Sequence, residues 1–314
     1  MSTVSSISQV SNALYYLNLQ SNALAKLTEE ASSGNQILVP SDNPAGTVSV
    51  INGTAQGTQL SAYLANITSA TNTLNSSVTN LSALAGVLQQ AGSIATQGAN
   101  TTNDATSYVA LAQQVTGLIN QALTIGNAQF NGQYLYSGTA TNTAPFTVAS
   151  TNAQGQPQTV AYNGATDPGQ VVVNTGQTVN TTYNGSQVFQ AGGGDVFAAL
   201  TGLRDLLLNT TNLPANQQQQ ALSQQIGVVN NALQSVQNSE GKQSADLQSL
   251  SALQTQVTNL QTATKKQVSD VQTADLPTVL EHLQAEVNAY QVTLAATGRI
   301  FDQNLLTFLP PQNL

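Results

Sequence analysis

Apolar residues recur at a spacing of three and four almost to both ends of this chain. Towards the C-terminus the series runs Leu280, Leu283, Val287, Tyr290, Leu294, Phe301, Leu305, Phe308, and near the start it runs Ile7, Val10, Leu14, Leu17, Leu24. That spacing puts the residues of each series along one side of a helix. Chain ends usually fray, because nothing covers them. A stripe carried into both termini therefore needs a partner, and the natural ones are the opposite terminus and neighbouring copies of the protein. These thirteen residues are the candidate assembly interface.

Longer stripes lie inside the ends. Leu60, Leu64, Ile67, Thr71, Leu74, Val78, Leu81, Ala85, Leu88, Gly92, Ala95 keep the heptad rhythm over about five heptads, which predicts an extended helix in coiled-coil-like packing. The change from Leu to Ala and Gly at its far end would let a neighbouring helix approach closely. A second helix carries Tyr108, Leu111, Val115, Leu118, Ala122 and Ile125. After Asp195, a plausible N-cap, come Phe197, Leu200, Leu203 and Leu207, and Pro214 closes that piece. The longest series then runs from Leu222 to Val271, and its polar members Glu240, Gln243, Gln254 and Gln261 weaken the stripe but can fix register. Asp275-Leu276-Pro277 restarts the last helix, with Asp275 as cap and the proline tolerated in the first turn.

Between these helices, from Phe130 to about Gly194, the sequence is rich in Gly, Asn and Thr. Asn131-Gly132, Asn163-Gly164 and Asn184-Gly185 are turn signals, and Val171-Val172-Val173 reads as a strand. The expected fold is mainly α with a β-rich insert. N- and C-terminal segments form an elongated coiled-coil-like helical rod, and a small β domain projects from the middle. The boundaries read as a terminal helical assembly domain over 1–35 and 280–314, a helical rod domain over 36–138 and 195–279, and a β-rich outer domain over 139–194. Stripes 60–95 and 222–271 read as the core of a single molecule. The terminal ones, far from the β-rich middle and nearly uncharged, read as surfaces buried against other subunits.

Composition narrows the function. Only 6% of the 314 residues are charged, against roughly 25% in ordinary soluble domains. The formal charge is −8 and only six residues are Lys or Arg, which argues against nucleic acid or an anionic membrane as partner. There is no cysteine, so neither a disulfide nor a thiolate metal site can form. The first basic residue is Lys26, so export by a cleaved signal peptide is not expected. His282, the only histidine, has Glu281 and Glu286 near it on a solvated face, and no G-x-S-x-G or phosphate-cradling loop occurs. Asp42 and Asn43 supply two oxygen ligands where calcium takes six to eight, so a turn role is the better reading. Neither an enzyme nor a cofactor or metal site is expected.

One stretch goes further. In residues 28–46, TEEASSGNQILVPSDNPAG, a helix ends at Ser33-Gly34 and a turn of Pro40, Ser41, Asp42, Asn43, Pro44 and Gly46 leads to the next rod. This resembles the N-terminal signature of the flagellin superfamily. Asn131-Gly132-Gln133-Tyr134-Leu135-Tyr136-Ser137-Gly138, Tyr183-Asn184-Gly185-Ser186-Gln187-Val188-Phe189 and the closing Leu305-Leu306-Thr307-Phe308-Leu309 are similar to further landmarks of that superfamily. The P-S-D-x-P form resembles its hook-associated members more than its filament flagellins. Asn43 stands where a second Asp is common, and Pro310–Leu314 runs past the usual end.

The resemblance implies a structural subunit of the bacterial flagellum, at the hook–filament junction and serving as platform for flagellin polymerisation. Its partners would be copies of itself in a ring, a hook-associated protein on the hook side, flagellin on the filament side, and an export chaperone for the C-terminal helix. Its place would be extracellular, reached through the flagellar type III apparatus with an uncleaved signal. The alternatives are a filament flagellin and, from another class, a secreted binding module or adhesin on a helical stalk.

Overall fold

The computed structural model describes residues 2–100, 104–191 and 194–308, and side chains from position 10 to 302 within those ranges as well as at position 8. The side chains of Ile7, Leu305 and Phe308, the triple-glycine positions 192–193 and the Pro310–Leu314 extension lie outside them. Among the described residues seven helices and six short strands follow in the order α1 (Ser2–Ser33), α2 (Pro44–Gly98), α3 (Ala105–Gly126), β1 (Gln129–Phe130), β2 (Gln133–Tyr134), β3 (Phe146–Thr151), β4 (Pro157–Tyr162), β5 (Gln170–Asn174), β6 (Gln177–Asn180), α4 (Gly185–Phe189), α5 (Val196–Leu207), α6 (Ala215–Gln272) and α7 (Leu276–Phe308). The fold is mainly α with small antiparallel sheets in the middle of the sequence, as the periodicities predict.

The capping residues act where the sequence places them. Asp195 accepts from the Ala198 amide at 2.9 Å, and the Asp275 carbonyl accepts from the Val279 amide at 2.9 Å. Pro214 does more than stop a helix: its carbonyl accepts from the amides of Gln217 and Gln218 and so opens α6. The preceding helix already ends at Leu207, and Asn209 then takes a left-handed conformation (φ 50°).

Packing divides the protein into two compact units, one comprising residues up to Gln59 and from Gln261, the other Leu60–Leu260. The limits at 59/60 and 260/261 fall within α2 and α6, so each of these helices contributes residues to both units.

In the larger unit the main apolar cluster joins Leu81–Ala95 of α2, α3, α5 and Leu222–Val236 of α6 to Leu135, Tyr136, Phe146 and Phe189. Phe146 lies 4.8 Å from the Phe189 ring and 5.1 Å from that of Phe197. Glycine makes that possible: a Cβ on Gly126 would come within 2.8 Å of the Phe146 ring. Close approach at the end of α2 also follows the expected pattern, since a Cβ on Gly98 would lie 2.6 Å from Leu207 Cδ2. A second cluster pairs Leu60–Leu74 of α2 with Leu247–Val257 of α6.

The β-rich segment lies within the larger unit. It is three separate two-stranded antiparallel ribbons, β1–β2, β3–β4 and β5–β6, and it shares its core with the helices of its unit. Val173 is fully buried in the second helical cluster, and Asn66 of α2 donates to the Val172 carbonyl at 2.8 Å. Buried Arg204 of α5 donates to the Pro157 carbonyl at the start of β4. Such short ribbons have too few large apolar side chains to form a core of their own. Of the three Asn-Gly turn signals only Asn131-Gly132 closes a hairpin, both residues having positive φ. Asn184 instead caps α4, accepting from the Ser186 amide at 2.9 Å.

Between the two clusters the α2–α6 seam turns polar. A Cβ on Gly92 would meet Val229, and one on Gly98 would meet Leu222, an antiparallel register that brings Ser77 level with Gln243. Both side chains are buried, and neither Ser77 Oγ nor the Gln243 amide atoms have a hydrogen-bond partner. Tyr136 donates to the Ser77 carbonyl at 3.0 Å, and Tyr183 to Asp246 Oδ2 at 2.7 Å, so two tyrosines from the β-rich segment reach the same level.

Candidate functional site

The smaller unit contains the terminal stripes and the signature turn. Helices α1 and α7 pack on each other. The end of α1 and the start of α7 are joined where the Ala274 amide donates to the Gly34 carbonyl at 2.8 Å, so the two run antiparallel. Their seam is half-buried, with Val10, Leu17 and Leu24 on α1 and Leu283, Val287 and Tyr290 on α7. The remaining described stripe residues, Leu14, Leu280, Leu294 and Phe301, are exposed.

The stripe thus divides into an inner seam and an outer apolar face. A single helix partner covers a narrow strip, so the apolar residues flanking it stay outside. Sequence periodicity passed over Tyr15, Tyr16, Leu19 and Val292, which are also large, apolar and exposed. Their signal is the opposite of a stripe: bulky apolar residues at positions that a two-helix seam cannot reach.

The turn is a clasp built around Asp42. Gly34 ends α1 with φ +70°, a left-handed C-cap conformation that glycine adopts without a Cβ penalty. The Gln36 amide then donates to the Gln272 carbonyl at 2.9 Å and its side chain to the Val271 carbonyl at 2.7 Å, which ties the α1–α2 loop to the α6–α7 junction. Asp42 Oδ2 accepts from the amides of Leu38 and Val39, both at 3.0 Å, and Oδ1 from Lys26 Nζ at 2.7 Å. The Lys26 ammonium foremost, and the two amides after it, hold the Asp42 carboxyl down at about 2, and the same bond raises Lys26. Asn43 Oδ1 accepts from the Gly46 amide at 2.8 Å, and Pro44 takes the first helical position of α2, where its missing N–H costs nothing. A Cβ on Gly46 would fall 2.8 Å from both Asn43 Cγ and Ile37 Cδ1. Pro40 and Ser41 form the exposed corner. All oxygen atoms of the Asp42 carboxylate are thus used for shape, which fits the turn reading and leaves little for a cation.

Among the described residues no cluster of three or more His, Asp or Glu side chains could hold a metal, and no helix is long and apolar enough to cross a membrane. The site is a surface and its supporting turn.

Part of the chain also resembles known proteins. Residues 4–141 match the model of the bacterial flagellin N-terminal helical region. Flagellar hook-associated protein 3 of Escherichia coli (strain K12) is 27% identical over 170 residues, which are 54% of this chain and 53% of that protein. The chain spans about half the length of the curated relatives it matches. A putative flagellar hook-associated protein from Vibrio parahaemolyticus shares the fold with a TM-score of 0.64 at 20% identity, over 74% of this chain and all of that one. Hook-associated protein-3 from Legionella pneumophila gives 0.59 at 15% identity, over 71% and 99%. Over its N-terminal residues the chain is thus similar to the bacterial flagellins. Among curated proteins its likeness is to those named flagellar hook-associated protein 3.

Proposed function

We propose that this protein is a structural subunit of the hook–filament junction of the bacterial flagellum, presenting a surface on which flagellin polymerises. The observation that carries this reading is the outer apolar face of the terminal helices, with Leu14, Tyr15 and Leu19 on one and Leu280, Val292, Leu294 and Phe301 on the other. Exposed apolar groups in such density mark surfaces that another protein covers. Further copies in a ring would cover part, an adjacent hook-associated protein and flagellin the rest, and before assembly a chaperone would shield the C-terminal helix. The role is structural, not catalytic. Export proceeds through the flagellar type III route without cleavage of a signal.

The test is deletion of the gene in the source bacterium, followed by electron microscopy of the cell surface and assay of the medium for flagellin. Hooks without filaments, with unpolymerised flagellin in the medium, are expected. Loss of filaments with no other flagellin present would instead make this protein the filament subunit. Complementation with Leu14→Asp or Leu294→Asp should restore a folded, exported protein but no filaments, since both side chains are exposed rather than held in the half-buried α1–α7 seam.

A further inference from the structure

Four Asn-Gly pairs occur in the sequence, and the structure treats them unequally. Asn52-Gly53 lies within α2, where helical hydrogen bonds hold the backbone. Asn163 donates through Nδ2 to Thr147 Oγ1 at 2.8 Å and through its amide to the Pro145 carbonyl at 2.7 Å. Asn184 is buried, its Oδ1 accepting from Ser186 and its Nδ2 donating to the Thr166 carbonyl at 3.1 Å. Asn131 is different. It sits exposed in the two-residue turn of the β1–β2 hairpin with φ 50°, and its side chain makes no hydrogen bond. Beside it Gly132 has φ +78°, and a Cβ there would meet nothing within 4 Å.

We propose that Asn131 is a site of spontaneous deamidation, with water as the only co-reactant. The Gly132 amide nitrogen, losing its proton to hydroxide, attacks Cγ of Asn131. The new bond from that nitrogen to Cγ closes a five-membered succinimide, while the Cγ–Nδ2 bond breaks and ammonia leaves. Water then adds to either ring carbonyl and opens the ring to aspartate or isoaspartate, with no change of oxidation state. Three physical conditions favour this position over the other three. Its side chain is unpinned, its glycine offers no steric shield, and the conformation needed for ring closure requires opening only a hairpin of two residue pairs. At Asn52 the same rotation would break a helix of 55 residues. The product sets a carboxylate beside the shallow groove lined by Leu64, Thr68, Asn72 and Phe130. The isoaspartate form also adds a backbone carbon to the turn, which disrupts a hairpin whose register depends on its two-residue loop.

The full-length folded protein, incubated at mildly alkaline pH and mapped by peptide mass spectrometry with fragmentation that separates aspartate from isoaspartate, gives the test. Asn131 should react at least about tenfold faster than Asn52, Asn163 and Asn184, because only its reactive conformation is reached by a small local opening. In denaturant the four rates should converge to within about twofold, since folding alone distinguishes them. The proposal is overturned if Asn131 is no faster than the others in the folded protein, or if its lead persists after unfolding.

Discussion

The two compact units use apolar residues in opposite ways. The larger one buries them: nearly every buried apolar side chain of the described residues belongs to its two clusters. Among its described residues the smaller one buries only Ala274 and Val279 of its apolar side chains, yet it has most of the large apolar side chains that remain exposed. One unit resembles a finished domain, the other one half of an interface. Burying a Leu or Val contributes roughly 1.5–3 kcal/mol, so the difference in core is a difference in self-sufficiency. A unit whose seam is only half-buried has less apolar burial of its own to hold it together.

The sharpest way to break this comparison is to damage the core of the larger unit. Phe189→Ala removes a fully buried ring that stacks on Phe197 and touches Tyr136 and Phe146. Chemical denaturation should show a loss of about 3–5 kcal/mol, the usual cost of deleting a buried aromatic side chain. A loss below about 1 kcal/mol, the scale of a surface change, would mean that this cluster is not the stabilising core.

A smaller effect of opposite sign is expected at the polar level of the same unit. Buried Ser77 Oγ and the Gln243 amide lack partners, and each such group costs about 1–3 kcal/mol. The double variant Ser77→Ala with Gln243→Leu should raise the denaturation midpoint. It should also loosen the register of α2 against α6, because a continuous apolar stripe fits several registers while a polar layer fits one. Spin labels on the two helices would then report more than one separation. A lower midpoint would show that the polar pair is satisfied and stabilising.

The smallest effect concerns the clasp of the smaller unit. Folding lowers the Asp42 carboxyl from its ordinary 3.8 to about 2, so its contribution to stability is complete above the ordinary value and is lost as pH falls towards the folded one. Amide exchange at Leu38 and Val39 should therefore quicken, relative to the intrinsic rate, as pH falls through that window. Core amides such as that of Ile119 should not respond. In Asp42→Asn the pH response should vanish, and its persistence would assign the effect to another group.

Much of this was readable before any coordinates. The helices appear where the heptads put them, because three- and four-residue spacing needs only local geometry to define a face. Asp195 and Asp275 mark helix starts because capping involves neighbours in sequence. The signature turn was legible by the same logic: Asp42 reaches amides three and four residues away, and Asn43 an amide three residues on. Its Lys26 partner, sixteen residues back, was not.

What periodicity could not provide is the partner of each face. Leu14 and Leu17 belong to one stripe in the sequence, and only the approach of α7 makes one a seam residue and leaves the other outside. Val171-Val172-Val173 announces a strand, but that Val173 completes a helical cluster depends on where the backbone returns. The sequence by itself determined the elements, their caps and the excess of apolar surface at the ends, since these follow from short-range geometry and composition. The tertiary structure decided which apolar residues share a core and which remain exposed, because burial depends on long-range contacts between segments far apart in sequence.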